Sequence, residues 1–261
     1  MQKSITFKNV NIYFSDVGEG TTIVLIHGFL ENAAMWKNII PELSKKNRVV
    51  TVTLLGHGKT ACLGYVHTME LFSETIEAIL KHLKIKKYIL IGHSLGGYIS
   101  LCLAKKNPTK IKGLCLLNST SNEDSEELKI RRNRANKMAQ NNFKNLVRMS
   151  FTNLFSEQSK TIFKGEIAQA LKEALQTSVQ GYIAAQEGMR LRPNSNQFLA
   201  ENDFKKLIVV GEKDPVLNYE ASIVEASTTN SEIAILPSGH MTHIENKDNL
   251  IDLLKSFVKN C

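Results

Sequence analysis

The stretch Tyr88–Gly97, YILIGHSLGG, joins a continuously apolar run to a helical pattern through a glycine-rich turn. The run Tyr88–Ile91 has the length of a strand and no polar alternation, which predicts a strand buried on both faces of a parallel sheet. Gly92 and Gly96 allow a sharp turn, because a Cβ at either position would clash. The stretch therefore predicts that Ser94 presents its hydroxyl at the end of a strand, in front of a helix N-terminus.

Similar apolar runs predict the rest of the sheet. Five of them have the same length and lack alternation: Ile23–Ile26, Val49–Val52, Leu114–Leu117, Leu207–Val210 and Ile233–Leu236. Amphipathic helical patterns separate the runs: Ala33–Lys45, Thr68–Leu83, Ser94–Lys106 and Asn246–Val258. Strands that alternate with helices predict an α/β fold with a doubly wound, mostly parallel sheet. The opening residues Ile5–Phe7 and Asn11–Phe14 predict an antiparallel hairpin on its edge.

The segment between Leu117 and Leu207 interrupts this alternation, because it contains no convincing parallel-strand run. It far exceeds the roughly 2–6 residues of an ordinary loop in such a fold. Helical patterns occupy most of it: Glu126–Gln140, Phe143–Phe151, Lys164–Leu175 and Thr177–Arg190. We therefore predict a core of residues 1–118 and 202–261 and an inserted helical cap, or lid, of residues 119–201 over one end of the sheet.

The composition is that of an ordinary globular protein, with 261 residues, 43% hydrophobic and 22% charged. No apolar stretch reaches the ~18 residues of a spanning helix, so we expect no membrane span. The opening residues lack the apolar segment of a signal peptide, and the four cysteines show no CxxC spacing. These features favour a reduced, cytoplasmic location. The net charge of +8 fits either a lysine-rich solvated surface or an acidic partner, while no nucleic-acid-binding signature is present.

A serine hydroxyl is a weak nucleophile, so it needs a base, and the base needs an orienting carboxylate. The run Leu207–Val210 leads into a loop with Asp214, and the last run leads into His240. Both loops follow strands, so we predict that Asp214 and His240 meet Ser94 at the carboxyl edge of the sheet. Glu212 remains the alternative acid and His243 the alternative base.

Negative charge that develops on a substrate oxygen needs backbone N–H donors. The amide of Leu95, directly after the serine, is one predicted donor. The second is the amide of Phe29, in the loop after the first parallel strand, where Gly28 supplies backbone freedom.

The other histidines receive structural interpretations. His27 is predicted to make loop hydrogen bonds, His57 to shape a loop near the site, and His93 to pack within the turn. His67 and His82 are interpreted as surface or helix positions. No HExxH motif or other metal-binding pattern occurs, so we expect neither a metal nor a cofactor.

Five motifs in this order resemble the α/β-hydrolase superfamily, and most closely its small esterase-like members with a helical cap. They are His27-Gly28-Phe29, Gly56-His57-Gly58, Gly92-His93-Ser94-Leu95-Gly96-Gly97, Gly211-Glu212-Lys213-Asp214-Pro215 and Gly239-His240-Met241. The segment Ala184–Asn194 is similar to the end of the cap in that group. Many relatives carry an aspartate three residues before the Gly-His-Gly motif, where this chain has Thr53-Leu54-Leu55.

The resemblance implies a serine hydrolase that cleaves small carboxylic esters through an acyl-enzyme on Ser94, with His240 as base and Asp214 as acid. The Phe29 and Leu95 amides would form the oxyanion hole, supported by His27, Gly28, Gly92, His93 and Gly96. Relatives that use aspartate at the turn, such as haloalkane dehalogenases and epoxide hydrolases, fit less well. A lyase or carbon–carbon hydrolase with the same triad is the alternative, and a ligand receptor without turnover is a further one.

The cap sequence is basic between positions 129 and 148. Seven basic residues and no acidic ones lie there: Lys129, Arg131, Arg132, Arg134, Lys137, Lys144 and Arg148. One hypothesis is that this surface docks an acidic acyl carrier or an anionic substrate, as the basic caps of some relatives do. The alternative is an ordinary solvated helix face.

Overall fold

The computed structural model describes residues 2–261, in which eight strands form one sheet. The strands are β1 (Gln2–Phe7), β2 (Val10–Val17), β3 (Thr21–Ile26), β4 (Asn47–Val52), β5 (Tyr88–His93), β6 (Ile111–Leu117), β7 (Lys205–Gly211) and β8 (Glu232–Leu236). Their order across the sheet is β1-β2-β4-β3-β5-β6-β7-β8. The β1–β2 hairpin is antiparallel and joins β4 antiparallel, whereas all other neighbours are parallel. The predicted α/β fold with a mostly parallel sheet is confirmed.

Eleven α-helices occur within residues 2–261. They are α1 (Ile40–Leu43), α2 (Met69–His82), α3 (Leu95–Lys106), α4 (Glu126–Thr152), α5 (Glu157–Ile162), α6 (Lys164–Ala174), α7 (Val179–Leu191), α8 (Asn196–Ala200), α9 (Tyr219–Thr228), α10 (Thr242–Glu245) and α11 (Lys247–Lys259). Short 3₁₀ turns cover Ala33–Trp36 and Pro108–Lys110. No helix in this part of the chain is long and apolar enough to cross a membrane.

The prediction of one continuous helix over Ala33–Lys45 is wrong. The structure has a 3₁₀ turn at Ala33–Trp36, followed by the single-turn helix α1. Pro41 explains the break, because proline has no N–H to donate and its ring clashes with the carbonyl four residues earlier, at Lys37. The apolar spacing in this segment instead serves Trp36 and Leu43, both buried against the sheet.

The central strands alternate side chains between two apolar layers, which explains why their sequences lack polar positions. Val24 and Ile26 of β3 belong to the cluster that includes α2 and α3, whereas Ile23 and Leu25 pack with Trp36 and α11. Both faces of the sheet are therefore covered, as expected for parallel strands.

Helices α4–α8 all lie between β6 and β7, in the segment predicted as the cap. Non-helical dihedral angles at Asn142 divide α4 into two arms, which correspond to the two helices predicted there. Val147, Phe151 and Tyr182 from this segment share an apolar cluster with Leu30 and Met241 from two core loops. The helices therefore pack over the loops at the carboxyl ends of the strands.

A buried carboxylate ties the two ends of this segment together. Asp124, before α4, accepts hydrogen bonds from Arg132 and from Arg192, which follows α7. The Arg192 guanidinium also lies 3.8 Å from the ring centre of Tyr98 on α3. These contacts join the entry and exit of the segment to the core.

Close backbone packing between α7 and the core depends on Gly188. A Cβ at this position would overlap the carbonyl oxygen of His67, whereas a Cβ at Gly165 of α6 would meet nothing within 4 Å.

We expect Gly188→Ala to lower the free energy of unfolding by about 1–3 kcal/mol through overpacking. The control Gly165→Ala should raise it by about 0.5–1 kcal/mol, because alanine favours helix. Urea unfolding measures both, and equal effects would contradict this account of α7 packing.

Candidate active site

Ser94 lies in a tight turn between β5 and α3, which we call the elbow. Its dihedral angles, φ 49° and ψ −114°, are unfavourable for a residue with a side chain. Main-chain hydrogen bonds hold it there: the Ser94 amide donates to the Leu117 carbonyl at 2.9 Å, and the Ser119 hydroxyl donates to the Ser94 carbonyl at 2.8 Å. A Cβ at Gly96 would overlap the Ile26 carbonyl oxygen, so β3 and the elbow approach as closely as glycine allows.

Asp214 and His240 form a buried hydrogen-bonded pair. The His240 Nδ1 atom lies 2.8 Å and 3.1 Å from the two Asp214 carboxylate oxygens. The same carboxylate accepts from the amides of Val216 and Leu217 at 2.8 and 3.1 Å, and from the Asn118 side chain at 3.0 Å. Burial alone would raise the pKa of Asp214, but His240 and these donors hold it below its usual value.

The two alternatives take other positions. The Glu212 side chain is exposed to solvent, and its backbone pairs with β8. His243 is buried and faces Glu31, with 3.6 Å between its Nε2 and the Glu31 carboxylate. The structure therefore brings His240 to Asp214 and keeps Glu212 and His243 away from that pair.

The elbow and the His240 loop are in direct contact. The His93 ring, next to Ser94, lies 5.2 Å from the His240 ring and donates from Nε2 to the His240 carbonyl at 3.0 Å. The Ser94 hydroxyl and the Nε2 atom of His240 are not hydrogen bonded to each other in the described part of the chain. Hydrogen bonds between such groups often tighten only when substrate binds.

The two predicted oxyanion donors carry free amides. Leu95 is the first residue of α3, so its N–H has no partner inside the helix. The amide of Phe29 likewise reaches no protein acceptor within residues 2–261. The neighbouring loop is fixed by His27, whose Nε2 accepts from the Leu54 amide at 3.0 Å and whose Nδ1 donates to the Gly28 carbonyl at 2.8 Å. The loop therefore holds the Phe29 amide in one place while leaving it available.

Two further histidines lie near this loop. His57 is buried, donates to the Leu55 carbonyl at 2.9 Å and packs edgewise against the rings of His27 and Phe29. The interpretation of His67 as a surface or helix position is wrong, because this residue is fully buried beneath α7. Its burial comes from a helix more than a hundred residues away in the sequence, which local patterns cannot reveal.

The sequence interpretation also missed two polar groups. Asn118, after β6, bridges the Asp214 carboxylate and the Gly239 carbonyl, the latter at 3.3 Å. Glu31 is almost completely buried and accepts hydrogen bonds of 2.7 Å from both the Gly28 amide and Nδ1 of His93. Burial opposes the charge on Glu31, but His93 lowers its pKa to about 2. His93 therefore has a charged partner, whereas the sequence predicted only packing.

Glu31 and His243 also line a cavity of about 540 Å³. Phe163 and Glu173 of the helical segment and Lys247 of α11 also line it. Neither Ser94 nor His240 lines this cavity.

A family model described as the alpha/beta hydrolase fold matches residues 21–247. This chain belongs to the α/β-hydrolase family. It is 28% identical over 256 residues to the dihydrolipoyllysine-residue acetyltransferase component of the acetoin cleaving system of Pseudomonas putida, an alignment that covers 95% of this chain and 66% of that protein. It is 34% identical over 116 residues to the pimeloyl-[acyl-carrier protein] methyl ester esterase of Aliivibrio fischeri, covering 44% of this chain and 43% of that protein. Both alignments thus span less than two thirds of the relative's own length.

Solved structures of this family superpose closely on the chain. A thermophilic esterase from Thermogutta terrifontis has a TM-score of 0.93 and 26% sequence identity, with coverage of 99% of this chain and 98% of that one. The enol-lactonase from Burkholderia xenovorans has a TM-score of 0.91 over 98% of this chain and all of that one, and its 19% identity shows the shared fold alone. The α/β hydrolase therefore has esterases among its relatives.

Four buried histidines make the stability of the fold depend on pH. Burial lowers the pKa of His27 to about 3, and those of His57, His67 and His243 to about 4, from the ordinary 6.5. As the pH falls below 6.5, these four histidines bind protons in the unfolded chain but stay neutral in the folded one. Their contribution to the free energy of unfolding is therefore fully present above pH 6.5 and is lost as the pH falls toward 4. We expect the melting temperature to drop steeply across that window.

A single variant isolates one of these groups. His67→Gln keeps an acceptor for the Leu63 amide but cannot titrate. The free energy of unfolding of this variant should therefore fall by about 2–3 kcal/mol less than that of the wild type between pH 7 and 4. His82→Gln, at an exposed position on α2, is the control and should follow the wild type. Parallel stability curves for wild type and His67→Gln between pH 7 and 4 would disprove this assignment.

Proposed function

We propose that this protein is a serine hydrolase that cleaves carboxylic esters through an acyl-enzyme on Ser94. The observation that carries the proposal is the Asp214–His240 pair beside the elbow. The carboxylate engages Nδ1 of His240 through two short contacts and leaves Nε2 unbonded on the same imidazole. An imidazole held in this way has its proton on Nδ1 and its lone pair on Nε2, as a general base requires.

The proposed reaction uses each group once in acylation and once in deacylation. Ser94 attacks the ester carbonyl while His240 accepts the hydroxyl proton, and Asp214 stabilises the resulting imidazolium. The free amides of Phe29 and Leu95 stabilise the negative oxygen. His240 then protonates the departing alcohol, and a water molecule repeats the sequence to release the acid. These steps draw only on the protein and water, so we propose no cofactor and no metal.

The choice of an ester bond is supported by the relatives. The solved neighbour from Thermogutta terrifontis is named an esterase, and the Aliivibrio fischeri relative is named a methyl ester esterase. A serine rather than an aspartate at the elbow fits hydrolysis through an acyl-enzyme.

The cysteines at positions 62, 102, 115 and 261 are free thiols, which supports a reducing, cytoplasmic location.

Removal of the nucleophile tests this proposal directly. We expect Ser94→Ala to lower hydrolysis of p-nitrophenyl esters by about four to six orders of magnitude and to abolish labelling by a fluorophosphonate probe. Ser256→Ala, at an exposed position on α11, should label and turn over like the wild type. A series of acyl chains from acetate to decanoate then defines the preferred acid. Near-wild-type turnover by Ser94→Ala would disprove the proposal, and cleavage of carbon–carbon but not ester substrates would favour the alternative chemistry.

We further propose that the exposed basic side chains of α4 bind an anionic group, either on an acidic acyl carrier or on the substrate itself. Two of the seven basic residues have other partners, since Arg132 bonds to buried Asp124 and Lys129 pairs with Glu126 at 2.8 Å. The other five side chains are exposed: Arg131, Arg134, Lys137, Lys144 and Arg148. These five positions form the proposed docking surface.

Charge reversal tests this surface. Arg131→Glu combined with Arg134→Glu should raise KM for an ester on an acidic carrier protein, or for a dicarboxylate monoester, by about tenfold at low salt, and the effect should shrink as salt screens it. KM for neutral p-nitrophenyl butyrate should stay constant. The control is Lys86→Glu combined with Lys87→Glu. It makes the same charge change just before β5, at the end of the strand away from the elbow. Identical salt dependence in the two double variants would argue against docking at α4.

A further inference from the structure

Three segments of the proposed active site are joined through two buried side chains, Glu31 and His93. The Oε2 atom of Glu31 accepts from the Gly28 amide and from Nδ1 of His93, both at 2.7 Å. Gly28 precedes Phe29, and His93 precedes Ser94 in the elbow. The opposite nitrogen of His93 lies 3.0 Å from the carbonyl oxygen of His240. A single chain of hydrogen bonds therefore joins the oxyanion loop, the elbow and the loop of the proposed base.

The partners of His93 define its protonation state. A neutral imidazole has one N–H donor and one acceptor nitrogen, whereas the imidazolium donates from both nitrogens. His93 faces a carboxylate on one side and a backbone carbonyl on the other, and both are acceptors. The buried ring thus carries two protons and forms an ion pair with Glu31. Burial alone would lower the pKa of His93, but Glu31 and the His240 carbonyl raise it above its usual value.

We propose that Glu31 and His93 are positioning residues that fix the His240 main chain and the Gly28–Phe29 loop relative to Ser94. This inference rests on the proposed function. Each contact lies at, or one residue away from, a group that would touch the reacting ester. Misplacement of such groups by about 1 Å can cost on the order of a hundredfold in rate.

Stability alone gives little reason for this arrangement. Moving two charges out of water is costly, and apolar replacements of buried ion pairs are often neutral or stabilising. The Glu31 and His93 side chains are only 5% and 2% exposed, so most of the water around both charges has been removed. A further titratable group, His243, faces the remaining carboxylate oxygen at 3.6 Å. The ion pair does fix geometry, because one hydrogen bond joins the oxyanion loop to the elbow and another joins the elbow to the His240 segment.

The test compares kcat and KM among matched variants. Glu31→Gln removes the charge but keeps the shape, and it should lower kcat about ten- to a hundredfold while KM changes less than twofold. Glu225→Gln is the control: Glu225 is an equally buried carboxylate that accepts from the Ser121 amide at 2.6 Å, outside the proposed site. Equal kcat values for the two variants would overturn the inference.

A double-mutant cycle tests whether the two residues act as one unit. His93→Gln should lower kcat in the same range, and Glu31→Gln combined with His93→Gln should be no worse than the poorer single variant. The double variant removes both charges, so it provides the kinetic test even where Glu31→Gln alone does not fold. Multiplication of the two single effects in the double variant would overturn the coupling.

Nitrogen-15 NMR of the wild-type histidine rings gives a readout that does not depend on activity. At pH 7.5, His93 should show protons on both ring nitrogens, with its signals assigned by their loss in His93→Gln. A neutral His93 would overturn the inference.

The proposed function has its own separate test. Failure of that function would appear as full activity in Ser94→Ala. Failure of the positioning role would appear as inactive Ser94→Ala together with Glu31→Gln that behaves like Glu225→Gln.

Discussion

The close contact of main chains around the elbow is the constraint on which the site depends. Gly96 lies directly against the Ile26 carbonyl, and the Ser94 amide and carbonyl bond to the end of β6 and to Ser119. These contacts hold Ser94 in a positive-φ conformation that is unfavourable for a residue with a side chain. Because β3, β5 and β6 run parallel, their carboxyl ends meet there, and the loops after β7 and β8 reach the same edge. The unfavourable turn thus places the Ser94 hydroxyl at the edge of the sheet that also carries Asp214 and His240.

Both buried carboxylates at this edge, Asp214 and Glu31, accept several hydrogen bonds, and within residues 2–261 the Oε1 atom of Glu31 has no hydrogen-bond partner. Asp214 accepts from His240, two backbone amides and Asn118, and Glu31 accepts from His93 and the Gly28 amide. Buried acids in such surroundings stay ionised, so they can orient an imidazole. The two histidines differ in their second nitrogen. That of His93 meets a carbonyl, whereas that of His240 is left unbonded, and this difference is why we propose a positioning role for His93 and the role of a base for His240.

Much of the fold could be predicted because it depends on local patterns. All six apolar runs lie within observed strands, and five of them belong to interior strands whose buried faces require apolar residues at almost every position. The sixth run forms the edge strand β8, which is only partly buried, with Ile235 41% exposed. Asp214 and His240 could be chosen because loops after parallel strands share one edge. The helix over Ala33–Lys45 was predicted wrongly because apolar spacing outweighed the effect of Pro41. His67 was misplaced and Glu31 overlooked because their burial depends on distant segments, α7 for His67 and the elbow and His243 loop for Glu31.

The sequence by itself determined the α/β architecture, the elbow and the chain order of Ser94, Asp214 and His240, because strand burial, glycine turns and strand ends are encoded within a few residues. Only the tertiary structure decided which polar groups are paired. It placed Arg132 on Asp124 instead of in solvent, gave Asp214 its second side-chain donor in Asn118, and joined Glu31 to His93. The physical reason is that a hydrogen bond in the interior depends on atoms from segments far apart in the chain, and their distance and burial exist only once those segments have packed.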